Sequence, residues 1–239
     1  DHNFNITGGT KNMPYRASIG YTLGNGIIKT SQMQRVTAAI NLSPSFFDKH
    51  LNINFNAKGL YIHNSYPAGV VGSALSMDPT LPIKGGATNI YGEEYFSKDA
   101  MDKFFGGYNQ PTTGANYNDP EWTLTFDPNT TNNPVAALNQ QSSIANSGAF
   151  VGNLELDYQI HGFEDLRLHA NFGADYSYGH QRYQNDPFGV AGHYYGWDGY
   201  DVKNKYNLQF NAYAQYYKDF TEDQHFDIMA GFEWQHFYN

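Results

Sequence analysis

Cysteine is absent from this chain of 239 residues, so the chain forms no disulfide and offers no thiolate for catalysis or metal binding. Positive charge is also scarce, because 14 lysines and arginines stand against 23 aspartates and glutamates and leave a net charge of −9. That balance disfavours a nucleic-acid partner, which requires a basic surface. No apolar run reaches the ~18 residues that a transmembrane helix needs, so a helical membrane span is excluded.

The common catalytic motifs are missing as well. The sequence contains no HExxH zinc motif, no G-x-S-x-G nucleophile turn, no phosphate-binding loop and no dinucleotide-binding glycine pattern. The 9 histidines are scattered without partners at metal-ligand spacing. We therefore predict no catalytic residue, no cofactor and no metal site, and we predict that the protein is not an enzyme.

Aromatic residues are abundant, yet the chain is hydrophilic on average. Tyrosine alone occurs 20 times and aromatics make up 17% of the residues, while the mean hydropathy is −0.61. A membrane β-barrel combines these properties because lipid-facing and lumen-facing residues alternate along its strands. A soluble glycan-binding β-sandwich also combines them, so composition leaves both classes open.

Period-two alternation of apolar and polar residues is the strongest pattern in the sequence, and it predicts β-strands. Eight segments show it, most of them around the ~9–11 residues that cross a bilayer when tilted. The apolar set that we expect to face lipid includes Leu154, Leu156, Phe210, Ala212, Ile228 and Phe232. The alternating segments lie at about residues 3–7, 15–23, 35–42, 51–58, 150–160, 166–176, 205–216 and 226–235.

The connections between these segments alternate between short and long. The largest predicted loop spans residues 63–148, and a second spans residues 179–202. Short periplasmic turns and long extracellular loops are typical of outer-membrane barrels. We therefore predict an all-β fold, with residues 1–239 forming a segment of a transmembrane antiparallel β-barrel of about eight long strands. A self-contained eight-stranded barrel and a soluble β-sandwich are the alternatives.

Aromatic side chains in the long loops are candidates for contacts with a ligand or a partner protein. Large rings offer stacking area at low entropic cost, although packing of the loops against one another is the favoured explanation for most of them. The candidate residues for ligand or partner contact are Trp122, Trp197, Tyr194 and Tyr195.

Several strings of residues give the chain a family resemblance. Residues 15–21 (YRASIGY), 25–30 (NGIIKT), 41–48 (NLSPSFFD) and 51–59 (LNINFNAKG) resemble the SusC/RagA class of TonB-dependent outer-membrane transporters. In the large loop, residues 77–82 (MDPTLP) and 133–138 (NPVAAL) resemble the same class. The resemblance covers most of the chain and is densest between Gly8 and Gly59.

The resemblance implies a 22-stranded barrel that holds a plug domain, of which this chain represents an early part of the wall. It implies the bacterial outer membrane as the location and import of oligosaccharides or peptides as the function. The implied partners are the remaining barrel and plug, a SusD-like surface lipoprotein, the TonB complex and outer-membrane lipid. Because the first residues contain no initiator methionine and no signal-peptide pattern, we expect a mature form or an internal part of a longer protein.

Overall fold

A computed structural model describes residues 1–85, 105–115, 124–127, 129–191, 195–221 and 223–238. These residues form eleven strands, two short helices and one 3-10 turn (Phe105–Gly107). The strands are β1 (His2–Thr10), β2 (Met13–Asn25), β3 (Gln32–Leu42), β4 (Ser45–Phe46), β5 (Leu51–Tyr66), β6 (Thr112–Ala115), β7 (Leu124–Phe126), β8 (Gln141–Gln159), β9 (Leu166–Asn185), β10 (Trp197–Thr221) and β11 (Gln224–Tyr238). The helices are α1 (Val71–Ser76) and α2 (Pro134–Gln140).

Eight long strands form one continuous antiparallel sheet in the order β1-β2-β3-β5-β8-β9-β10-β11, and the two-residue strand β4 pairs with β5. The predicted sheet of about eight long strands is thereby confirmed. Among the described residues β1 and β11 are the two ends of the sheet and do not pair with each other. The closed eight-stranded barrel and the two-sheet sandwich are therefore both wrong for this chain.

The register places the apolar residues of all eight strands on one face. A single row across the sheet consists of Tyr15, Leu42, Phe55, Leu154, Phe172, Phe210 and Trp234. The next row toward the short turns contains Ile53, Leu156, Ala170, Ala212 and Phe232. Because no register shift interrupts β5, β8 and β9, the period of two in each strand becomes an unbroken apolar surface.

The strands continue further toward the long loops than the alternation predicted. β5 extends to Tyr66 and β8 begins at Gln141, so the large connection spans 67–140 rather than 63–148. The second connection spans 186–196 rather than 179–202, because β9 runs to Asn185 and β10 begins at Trp197. In residues 179–185 (GHQRYQN) both faces of the strand are polar, so the backbone ladder persists where the apolar alternation has ended.

The two ends of the sheet differ in their connections, and we call them the turn end and the loop end. Connections 11–12, 43–50, 160–165 and 222–223 lie at the turn end, and connections 26–31, 67–140 and 186–196 lie at the loop end. The two longest connections, 67–140 and 186–196, lie at the loop end as predicted, but 26–31 is shorter than 43–50, so the strict alternation of short and long connections is wrong. The buried apolar core lies among the long loops and not within the sheet.

Candidate functional site

The face opposite the apolar surface is polar from strand to strand. One row on this face contains Arg16, Asn41, Asn56, Asn153, Gln209 and Gln235. In a large barrel the polar face of the wall borders the lumen. The amides and charged groups of the chain therefore lie on the face that borders the lumen in such a barrel.

His169 lies on this polar face, as its position in the alternation predicted. Its ring stacks on Tyr213 with centroids 4.5 Å apart, and its Nδ1 lies 3.6 Å from an oxygen of Asp157. The Asp157 carboxylate also lies 3.4 Å from Arg167. Among the described residues no group of three or more histidine, aspartate and glutamate side chains could hold a metal ion. His169 thus packs between the ring of Tyr213 and the carboxylate of Asp157 on the polar face of the wall.

The three connections at the loop end of the sheet pack together into a cap. Phe105 and Val190, from two different loops, are fully buried and share one apolar cluster with Val70. Ile28 from the first loop packs against the same cluster. The backbone N–H of Phe105 donates to the carbonyl of Phe188 at 2.6 Å and joins the second loop to the third. Phe105, an aromatic residue of the loops, therefore packs inside the cap and is not exposed to a ligand.

Buried amide side chains hold this cap in one arrangement. Asn133 is 1% exposed, and its Oδ1 caps α2 by accepting from the N–H groups of Val135 and Ala136. The Nδ2 of Asn133 donates to the carbonyls of Ile83 and Asn109 at 3.1 and 2.9 Å. Every polar atom of this buried side chain is thereby satisfied, which is the condition under which a buried amide fixes one packing.

Gln140 links the end of α2 to two loops. Its Nε2 donates to the carbonyl of Phe105 at 2.7 Å, and its Oε1 accepts from the N–H of Val190 at 2.9 Å. Lys29 of the first loop donates to Asn139 at 2.6 Å and adds a third connection. The cap is therefore a small folded unit with its own core and its own hydrogen-bond network.

Two of the four predicted contact residues, Trp122 and Tyr194, lie outside the described residues. Tyr195 is exposed and has a positive φ of 74° in the loop that precedes β10. Trp197 was assigned to a loop by the sequence, but it is the first residue of β10 and pairs with Asn185. Its loop assignment was wrong because the polar residues that follow it, although strand-forming, do not alternate with apolar ones.

Trp197 lies on the polar face of the sheet together with residues that the sequence did not single out. Its ring centroid lies 5.8 Å from that of Tyr183, and a Cβ at Gly199 would come within 2.6 Å of the indole. The indole thus extends over Gly199, which leaves room for it on the strand. Tyr66 and Tyr183 share one row across the sheet with Ser143. Continuing the period-two alternation into the polar ends of β5 and β9 would have placed Tyr66 and Tyr183 on this face.

At the turn end, charged residues stabilise the connection between β8 and β9. The Glu164 carboxylate accepts from the N–H of Gly162 at 3.0 Å and lies 3.7 Å from His50. Backbone N–H groups, first its own and then that of Gly162, together with His50, hold the pKa of Glu164 below its usual value. Lys218 donates to Asp165 at 2.8 Å. The adjacent carboxylates Glu164 and Asp165 therefore stabilise the turn between β8 and β9.

In the part of the chain that the structure describes, no helix is long and apolar enough to cross a membrane.

Comparison with known proteins agrees with this architecture. The chain is 44% identical over 243 aligned residues to the TonB-dependent receptor SusC of Bacteroides thetaiotaomicron, an alignment that covers 100% of this chain and 23% of the relative. No family model matches the chain. The structure of the RagAB peptide importer in a closed-closed state superposes with a TM-score of 0.63 at 16% identity, covering 98% of this chain and 24% of that chain. The open-open state gives a TM-score of 0.59 over the same shares.

The continuous sheet, its single apolar face and these similarities define part of the wall of a β-barrel in the bacterial outer membrane. The chain belongs to the SusC/RagA class of TonB-dependent receptors, a family of transporters and not of enzymes. It spans about a quarter of the length of the relatives that it matches.

Proposed function

We propose that the chain contributes wall, lumen lining and outer loops to a transporter that imports oligosaccharides or peptides across the outer membrane. The observation that carries the proposal is the 44% identity to a TonB-dependent receptor along the entire chain. The remaining barrel strands pair with β1 and β11, whose free backbone groups lipid cannot satisfy. A plug inside the lumen contacts the polar face, and the TonB complex supplies the energy that displaces it.

The loop cap is the part of this chain that we assign to the cell surface. Long connections of outer-membrane barrels face the exterior, and the two longest connections of this chain, 67–140 and 186–196, lie at the same end of the sheet. A cap with a buried core and satisfied amides holds its exposed residues in fixed positions. That rigidity suits a docking surface, because little conformational entropy is lost when a partner binds.

We assign the exposed apolar residues of the cap to contact with a SusD-like surface lipoprotein. Ile28 and Val70 pack against the same buried cluster, while their neighbours Ile27 and Val71 point to solvent. Ile27 is fully exposed and Leu75, one helical turn after Val71, is 84% exposed. Apolar side chains held at the surface in this way are typical of protein interfaces. Trp122, Trp197, Tyr194 and Tyr195 remain our candidates for contact with the ligand or this partner.

The experiment uses the full-length receptor in its native host. A strain lacking the gene should lose uptake of labelled oligosaccharides or peptides, and a strain lacking TonB should show the same loss. Ile27→Asp should reduce co-purification of the surface lipoprotein with the receptor about tenfold, ~1.4 kcal/mol. Val202→Asp, at an exposed strand residue outside the cap, is the matched control and should leave co-purification unchanged. Undiminished uptake in both deletion strains would contradict the proposed function.

A further inference from the structure

The lipid-facing side of the sheet continues beyond its apolar band with side chains that suit a polar head group. Toward the loop end the band closes with tyrosines in one row, among them Tyr176, Tyr206 and Tyr238. Rings in this position lie at the level of the lipid head groups. The side chains that follow on the same face of β9 and β10, which we call the outer patch, are His180, Arg182, Asp198 and Tyr200.

The outer patch lies further from the apolar band than an ordinary phospholipid head group reaches. Tyr200 precedes Tyr206 by six residues on β10. At ~3.3 Å per residue and a strand tilt of ~40°, that separation is about 15 Å along the membrane normal. The head-group layer on each side of a phospholipid bilayer is only about 5–8 Å thick. A lipid that contacts the outer patch therefore has a taller head group, such as one built from several sugars.

The outer patch combines an exposed aromatic ring with a fixed ion pair. Tyr200 is 71% exposed, and its ring centroid lies 5.8 Å from that of His180. Arg182 donates through Nε and Nη2 to the two carboxylate oxygens of Asp198 at 3.1 and 2.6 Å. A sugar ring stacks its apolar face on an aromatic ring, while its hydroxyls exchange hydrogen bonds with charged groups at the edge. The outer patch offers both kinds of contact.

The charge of the outer patch favours sugar over phosphate as the group that is bound there. Arg182 and Asp198 carry opposite charges in direct contact, and Gln184 adds a further donor to Asp198 at 3.3 Å. A phosphate site needs positive charge that no neighbouring carboxylate cancels. The outer patch therefore fits the uncharged sugars of a head group.

An apolar groove of about 440 Å³ lies on the same face, on the membrane side of the tyrosine row. Its lining includes the paired small residues Gly152 and Ala174, which lie between the rings of Phe150 and Phe172 along β8 and β9. Small residues between large rings leave a channel that an acyl chain can fill by van der Waals contact. A groove for an acyl chain and a patch for a head group therefore follow one another on the same strands.

We propose that the outer patch and this groove together bind a glycolipid of the outer leaflet. The sugars of its head group lie against Tyr200 and the Arg182–Asp198 pair, and one acyl chain lies along Gly152 and Ala174. The proposal uses the assignment of the loop end to the cell surface. It goes beyond the proposed function because it concerns the lipid side of the wall and not the transported substrate.

The test titrates lipopolysaccharide of the host, labelled on an acyl chain, into the delipidated full-length receptor in detergent, with phosphatidylethanolamine as the comparison lipid. We expect lipopolysaccharide to bind about tenfold more tightly or better. Tyr200→Ala and Arg182→Ala should each weaken its binding about tenfold, through loss of a stacking surface or of a charged donor. Tyr66→Ala, an exposed tyrosine at the loop end on the polar face of β5, is the matched control and should bind as wild type does.

A second variant separates the groove from the outer patch. Ala174→Trp fills the groove, so it should weaken binding of intact lipopolysaccharide and leave binding of the deacylated head group unchanged. Tyr200→Ala should weaken binding of both. The mobility of unheated samples on gels confirms that each variant is a folded barrel.

Equal affinity of wild type, Tyr200→Ala and Arg182→Ala for lipopolysaccharide would overturn the head-group site. Unchanged binding by Ala174→Trp would overturn the acyl groove. Equal binding of lipopolysaccharide and phosphatidylethanolamine would overturn the choice of a glycolipid. If Tyr200→Ala altered the oligomeric state of the receptor in sedimentation but not its affinity for lipopolysaccharide, the outer patch would be a protein interface and the proposal would be wrong.

Discussion

Leu154→Arg is the substitution that tests the assignment of the apolar face to lipid. Tyr206 and Tyr216 lie at either end of the apolar part of β10, ten residues apart. At ~3.3 Å per residue and a strand tilt of ~40°, ten residues span about 25 Å across the membrane, the height of a barrel's apolar band. Leu154 pairs with Phe172, which pairs with Phe210, so this row lies near the middle of the band.

An arginine near the bilayer midplane costs about 2–4 kcal/mol on the lipid face of a barrel. Asn153→Arg places the same side chain one residue away on the polar face, beside Asn56 and Gly173, where it meets water or polar groups. We expect Asn153→Arg to cost less than about 1 kcal/mol, as for a solvated surface position. Leu154→Ala controls for loss of the leucine itself.

The assay is urea-dependent folding of the full-length barrel into phospholipid vesicles, followed by the mobility shift of folded barrel on unheated gels. The loss of stability of the folded barrel should be smallest for Asn153→Arg, intermediate for Leu154→Ala and largest for Leu154→Arg. Equal costs for the two arginine variants would refute the assignment of faces. A larger cost for Asn153→Arg would mean that the polar face is the more tightly packed one, with no room for a long side chain.

Two further predictions concern the cap and the turns. Asn133→Ala should speed hydrogen exchange at the N–H groups of Val135 and Ala136 about fivefold, because loss of a helix cap costs about 1 kcal/mol. Exchange in β8 should be unchanged, and a rate increase there would contradict an independently folded cap. The pKa of Glu164 in the folded protein lies below the usual 4.5. The stability that this carboxylate gives to the turn is therefore complete above pH 4.5 and is lost as the pH falls through the folded-state pKa. The protection factor of the Gly162 N–H should therefore decrease at acidic pH, and Glu164→Gln should abolish this dependence.

The sequence predicted the sheet because alternation along a strand is a local property. Each strand of a barrel wall faces lipid on one side and polar surroundings on the other. The alternation of apolar and polar residues is therefore visible within a single segment, such as residues 150–160, whatever strands it pairs with. The places of the two longest connections, 67–140 and 186–196, also follow approximately from the chain alone. These features determined the class of fold and which residues lie on the apolar face.

Only the tertiary structure decided where the strands end and what the loops do. Residues 179–185 lie in a strand because β8 and β10 pair with them, although both faces are polar and no apolar alternation marks the segment. The burial of Phe105 and Asn133 depends on contacts between residues that are far apart in sequence. The grouping of Tyr66, Tyr183 and Trp197 has the same origin, because these residues belong to separate strands and only the register of the sheet places them on one face.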